Sequence, residues 1–181
     1  MPQLIPAAAR SVLLPAHHRR AEHVTFVERL AEYKPRQVPE LPSRAKRSGR
    51  RYEHAAQSML RGFAGYIESP WLRFTDSLGA RRMAQPDGLL IEPDCVFVFE
   101  IKSTHCIEAY CQLKLLYGPI VQWCYPQHRL VLIEICSEFS PTLRWPEPIV
   151  FCDDIVEVLQ VHSGLAAVQW RRNDERRYAA E

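Results

Sequence analysis

"PDGLLIEPDCVFVFEIKST", residues 86–104, is the stretch on which the reading of this chain turns. Two runs rich in Val, Phe, Ile and Leu flank the turn formers Pro93 and Asp94, so the segment is expected to form an antiparallel hairpin. Side chains alternate between the two faces of a strand. In the second run Val96, Val98, Glu100 and Lys102 therefore share one face, and Phe97, Phe99 and Ile101 share the other. A turn at Pro93–Asp94 and a four-residue loop Glu92–Cys95 give the same register, with Asp87 directly across from Glu100. Facing carboxylates repel and weaken a strand pair. A divalent cation held between them offsets that cost, and Lys102, on the same face, is placed to act on a water at such an ion. The competing account is a set of solvated strand ends, because Asp…Glu-x-Lys arises by chance in many sequences.

The flanking segments extend this hairpin into a fold. "SGRRYEHAAQSMLRGFAGY" (48–66) puts Tyr52, Ala55, Ala56, Met59, Leu60 and Phe63 at helical spacing, the mark of an amphipathic helix. Residues 69–102 are expected as three antiparallel strands, with turns at "DSLG" and "EPDC". "STHCIEAYCQLKLLYGP" (103–119) is expected as a second helix, capped by Ser103 and Thr104 and stopped by Gly118 and Pro119. "RLVLIEICSEF" (129–139) has the composition of a buried strand, and residues 148–170 that of a strand plus a short helix. The order αβββαβ implies an α/β (α+β) fold, with a mixed central sheet flanked by helices.

With 181 residues, 47% hydrophobic and 24% charged, the chain has the size and composition of one globular domain with an appended arm. No apolar run reaches the length of a membrane span, and no secretory signal is read at the start, so a cytoplasmic location with no membrane partner is expected. In that setting the six cysteines are expected as thiols, and the lack of a CxxC pair argues against a zinc ribbon. The net charge of +2 hides an asymmetry: residues 1–52 carry 11 Lys/Arg against four Glu, and the remainder is acidic. Residues 1–46 are expected to be a basic, Pro-rich arm with one helical stretch over 17–33. The main domain is expected over 47–170, and a charged tail over 171–181. A basic arm on an acidic body suits a polyanionic partner; a solvated leader is the plainer account.

Pro86–Asp87, then Glu100, Ile101 and Lys102, set on a hairpin after one helix and before another helix and strand, resemble the PD-(D/E)XK nuclease superfamily over about residues 49–137. The resemblance implies a restriction-endonuclease-like core and Mg²⁺-dependent hydrolysis of DNA phosphodiester bonds, with Mn²⁺ as a substitute ion. It implies that Asp87, Glu100 and the Ile101 carbonyl ligate metal, and that Lys102 orients or helps deprotonate the attacking water. Many members carry a glutamate on the first helix, as Glu53 in "GRRYE" does here; otherwise Glu53 is an exposed helix residue. RecB-like and lambda-exonuclease-like members carry a glutamine, often followed by a tyrosine, on the next helix. Gln112 and Tyr117 match, or else they are a surface glutamine beside a core tyrosine. The cysteine trio that some relatives use for an iron–sulfur cluster is missing.

DNA is the expected partner, its phosphates met by the basic segments Arg44–Arg51, Lys102, Lys114 and Arg171–Arg177. Such a nuclease suits DNA processing, recombination, repair or restriction, in the host cytoplasm if phage-encoded. The alternative is a catalytically inactive nucleic-acid-binding or assembly protein that keeps the fold, and a third account is a metal-free scaffold. His54 is expected on the helix surface, Asp94 in the turn, and Phe74, Tyr110 and Cys111 in packing. Trp71 and Phe74 are also candidates for base stacking.

Overall fold

The structure, a computed structural model, describes residues 24, 26–30, 43–140, 142–161 and 164–171. Among these the hairpin forms as expected. Strands β5 (Gly88–Ile91) and β6 (Cys95–Thr104) pair antiparallel, Gly88 with Phe99 and Ile91 with Val96. One further step in this register places Asp87 opposite Glu100. β6 is an inner strand of a mixed six-stranded sheet in the order β2-β5-β6-β7-β9-β8. There β2 (Tyr66–Glu68) pairs antiparallel with β5, while β7 (Arg129–Glu138), β9 (Leu165–Gln169) and β8 (Val150–Cys152) run parallel to their neighbours.

The two faces of β6 fill two cores. Phe97, Phe99 and Ile101 pack with Tyr52, Ala56 and Leu60 of α1 (Arg44–Leu60), and with Ile155 and Val158 of α4 (Ile155–Val161). Val96 and Val98 pack on the other side with Leu113, Tyr117, Ile120 and Val121. These four come from the crossover between β6 and β7, which runs through α2 (Ile107–Tyr110), a π-helical segment Cys111–Tyr117 and α3 (Gly118–Cys124). The apolar alternation of β6, buried on both faces, is what a strand between two helical layers requires.

Four expectations change. The strands expected over 69–102 split between two sheets: β3 (Trp71–Thr75) and β4 (Arg81–Ala84) form a separate three-stranded sheet, and the chain re-enters the main sheet only at β5. Gln85–Asp87 is the break. The third strand of the small sheet is β1 (Phe26–Leu30), which lies within the stretch expected to be helical. Val24, Val27 and Leu30 lie at helical spacing, yet pairing with β3 and burial of Val27 against Leu72 and Phe74 decide for a strand. Of the rest of the arm only Val24 and residues 43–46 are described, the last three already in α1; the tail beyond Arg171 lies outside the described residues.

The second helix continues past Gly118–Pro119 to Cys124. Proline lacks an N–H and crowds the carbonyl four residues back. The turn before it is widened instead, and the Gly118 N–H reaches five residues back to the Leu113 carbonyl. A Cβ at Gly118 would lie 3.0 Å from that oxygen. Finally, residues 148–170 hold two strands, β8 and β9, about α4, where one had been expected.

Candidate metal centre

The site grows from the end of β5. Asp87 precedes that strand, and its N–H donates to the Phe99 carbonyl at 3.1 Å. Its Oδ2 accepts the Ile101 N–H at 2.6 Å. The N–H and C=O of one residue project to the same side of a strand, so the Ile101 carbonyl points toward the same edge, beyond the start of β5. Glu100 and Lys102 share the opposite face of β6 from Phe99 and Ile101, and their side chains form an ion pair.

The Asp87 loop is clamped by its own carbonyl oxygen. That oxygen accepts the Ser69 N–H at 3.1 Å, and Gln57 Nε2, Tyr66 Oη and Ser69 Oγ each lie 3.3 Å away. Gln57 is buried on α1, one turn beyond Glu53, and also donates to Ser69 Oγ at 2.9 Å. Ser69 takes a φ of 41°, a left-handed conformation uncommon outside glycine. Gly88 has a steric role: a Cβ there would lie 2.5 Å from Tyr66 Cε2, so only glycine lets the tyrosine lie against the strand and reach Asp87.

Charge at this site is unbalanced. Glu100 is 2% exposed, and its Oε2 is buried without a hydrogen-bond partner. Burial, then the nearby Asp87 carboxylate, push the Glu100 carboxyl up to about 8, against the pull of Lys102. Burial also raises Asp87 to about 6; the Ile101 N–H opposes this and the charge of Glu53 adds to it. Burial works against the Lys102 ammonium, but Glu100 and Asp87 outweigh it and hold its pKa above the usual lysine value. A half-buried carboxyl and a buried one, the latter with an oxygen that has no donor, are answered by a single ammonium. This all-oxygen donor set fits a hard divalent cation.

The residues singled out in the sequence come together to different degrees. Asp87, Glu100, Ile101 and Lys102 form one cluster. Glu53 is half-buried on α1, and its charge is felt at Asp87, Glu100 and Tyr66. Gln112 and Tyr117 sit in the π-helical segment and join each other, Gln112 Nε2 donating to Tyr117 Oη at 3.2 Å. Tyr117 Oη donates in turn to the Gln85 carbonyl at 3.0 Å, two residues from Asp87. Burial first, then Glu100 and Asp87, raise the Tyr117 phenol far above its ordinary range. The pair therefore braces the loop that carries Asp87.

Other candidates lie elsewhere. His54 is exposed on α1, and Asp94 is exposed at the hairpin tip, 3.5 Å from Arg129. Phe74 is buried in the core, as are Tyr110 and Cys111. Of the expected phosphate-binding cations, Arg47, Arg50 and Arg51 are exposed on α1, whereas Lys114 is engaged by Glu147 at 3.0 Å. Gln57, Tyr66 and Ser69 escaped the sequence reading because nothing local marks a side chain that supports a distant carbonyl. Glu134 did leave a signal, a carboxylate inside the apolar run of β7, the same anomaly that marked Glu100. No helix among the described residues is long and apolar enough to cross a membrane.

No protein-family model, no curated protein and no solved structure matches this chain.

Proposed function

We propose that this protein is a Mg²⁺-dependent nuclease of the PD-(D/E)XK type, built on a restriction-endonuclease-like core, that hydrolyses DNA phosphodiester bonds. The observation that carries this reading is the buried Glu100 Oε2, which has no hydrogen-bond partner and lies beside Asp87 on the hairpin where the motif expects metal ligands. A helix before the hairpin and a helix and parallel strand after it also agree with that core.

Asp87, Glu100 and the Ile101 carbonyl would hold the ion, with Glu53 close by. When bound, Mg²⁺ supplies positive charge to the scissile phosphate and to the oxygens that attack and leave. The chain's own residues do the remainder. The Ser69, Tyr66 and Gln57 donors fix the Asp87 backbone, so its carboxylate need not reorganise. Lys102, part-exposed at the rim of the site, is held to Glu100 without metal. With a cation on Glu100, its hold on the ammonium would weaken, and Lys102 would be free to orient a water or a phosphate oxygen. Arg47, Arg50 and Arg51, exposed on α1, offer contacts for flanking phosphates.

The test is incubation of the full chain with linear, circular and single-stranded DNA, in Mg²⁺ or in EDTA. Wild type should cut in Mg²⁺ alone, and Lys102→Ala and Glu100→Gln should each lose at least about a hundredfold in rate. Cleavage that persists in EDTA, or is unaffected by both substitutions, would overturn the proposal.

A further inference from the structure

A second cluster stands beside the first on the same sheet face. Parallel pairing of β6 with β7 sets Glu134 next to Glu100 and Cys136 next to Lys102. His105, just past the end of β6, is pinned by its N–H to the Glu138 carbonyl at 2.8 Å, and its Nδ1 meets Glu134 Oε2. One donor atom from each of His105, Glu134 and Cys136 lies within 4.8 Å of the others, and all three residues are buried.

We propose that His105, Glu134 and Cys136 bind a zinc-class divalent transition metal, distinct from the Asp87–Glu100 site, which ties the end of β6 to β7. A nitrogen, an oxygen and a sulfur donor converge on one point, a set that favours zinc and disfavours magnesium. Charge would balance as well: one carboxylate and one thiolate offset a divalent ion in this buried site. The Glu134 and Cys136 side chains are wholly buried. Glu134 Oε1 accepts the Cys106 N–H at 3.1 Å, so Oε2, which now faces His105 Nδ1, is the oxygen an ion would take in place of that hydrogen bond. Phe139 and Trp145 flank the His105 ring, with centroids 4.6 and 5.0 Å away, and His105 Nε2 is buried without a partner. Cys136 is the register partner of Lys102 and Glu134 that of Glu100, so a metal here would fix the strand ends that carry both residues.

The purified full chain, stripped of metal, is titrated with Co²⁺ as a spectroscopic probe and then with Zn²⁺ as competitor. A thiolate-to-cobalt charge-transfer absorption is expected at a single equivalent, to be displaced by Zn²⁺, with Tm rising by several degrees on zinc addition. The all-oxygen site cannot give that absorption, so Asp87→Asn should retain it, while Cys136→Ser and His105→Ala should abolish it. A wild-type spectrum without thiolate charge transfer would overturn the proposal whatever the variants do, and would leave His105–Glu134 as a buried hydrogen-bonded pair. Persistence of the absorption in folded Cys136→Ser would overturn it too. Neither result bears on DNA cleavage.

Discussion

Glu100 and Glu134 are register partners on adjacent parallel strands, two carboxylates side by side on a buried sheet face. Glu134 is met by the His105 ring and the Cys106 N–H, so both of its oxygens have partners. Glu100 has Lys102 on one oxygen and none on the other. In the metal-free chain, then, both oxygens of Glu134 have partners, whereas Glu100 has one oxygen left over.

The metal-free protein should lose stability as pH rises. The Asp87 and Glu100 carboxyls titrate near about 6 and about 8 in the folded chain, above the roughly 4 of an unfolded carboxyl. The folded state therefore holds these protons more tightly, and the advantage present below pH ~4 drains away as pH climbs through both values. Thermal melts of wild type and Glu100→Gln in EDTA should diverge across this window, the variant showing the flatter profile. Parallel profiles would mean that Glu100 is not buried as described.

Mg²⁺ or Mn²⁺ should restore what high pH removes. The ion competes with protons for Asp87 and Glu100, so the rise in Tm on adding metal should be larger at pH 8 than at pH 6. At a hundred times the dissociation constant the stabilisation is about 2.7 kcal/mol. Asp87→Asn should abolish the Mg²⁺ shift.

Gly88→Ala should cost about 1–3 kcal/mol, because the added carbon meets the Tyr66 ring. Tyr66→Ala should also destabilise by removing ring packing against Phe99, at 6.2 Å between centroids. Combined, the two should cost less than their sum, since the clash disappears with the ring. Denaturant melts of the four proteins in this cycle measure the coupling, and strict additivity would exclude the contact.

Tyr117→Phe removes the donor to the Gln85 carbonyl and the acceptor for Gln112. The expected loss is about 1–2 kcal/mol of stability. If the pair braces Asp87, Mg²⁺ affinity in the thermal-shift assay should fall as well. A stability loss with Mg²⁺ affinity unchanged would confine the pair to packing.

Removal of residues 1–46 should destabilise the fold, because β1 goes with them and the Leu72 and Phe74 side of the small sheet loses Val27. Removal of residues 1–22 spares β1. That shorter truncation should lower Tm little, yet flatten the salt dependence of DNA binding if the basic arm contacts phosphate. Filter binding across a salt series, alongside melts, separates the two effects.

The sequence by itself determined the hairpin, its register and the helix before it. Strand alternation has a period of two and the turn formers Pro93 and Asp94 allow little choice, so Asp87 had to face the Glu100 position. The stripe from Tyr52 to Leu60 had to bury itself. These are local constraints, legible along the chain. Tertiary structure decided whatever depended on partners distant in sequence. β1 became a strand because β3 offered an edge, against its own helical spacing. Gln85–Asp87 became a break between sheets because Tyr66, Ser69 and Gln57 converge on the Asp87 carbonyl. Gly118 and Pro119 did not stop their helix, since a widened turn absorbed the proline while the core held Tyr117 and Ile120 in place. His105, Glu134 and Cys136 met only when parallel pairing brought β7 beside β6, a contact that no spacing in the sequence encodes.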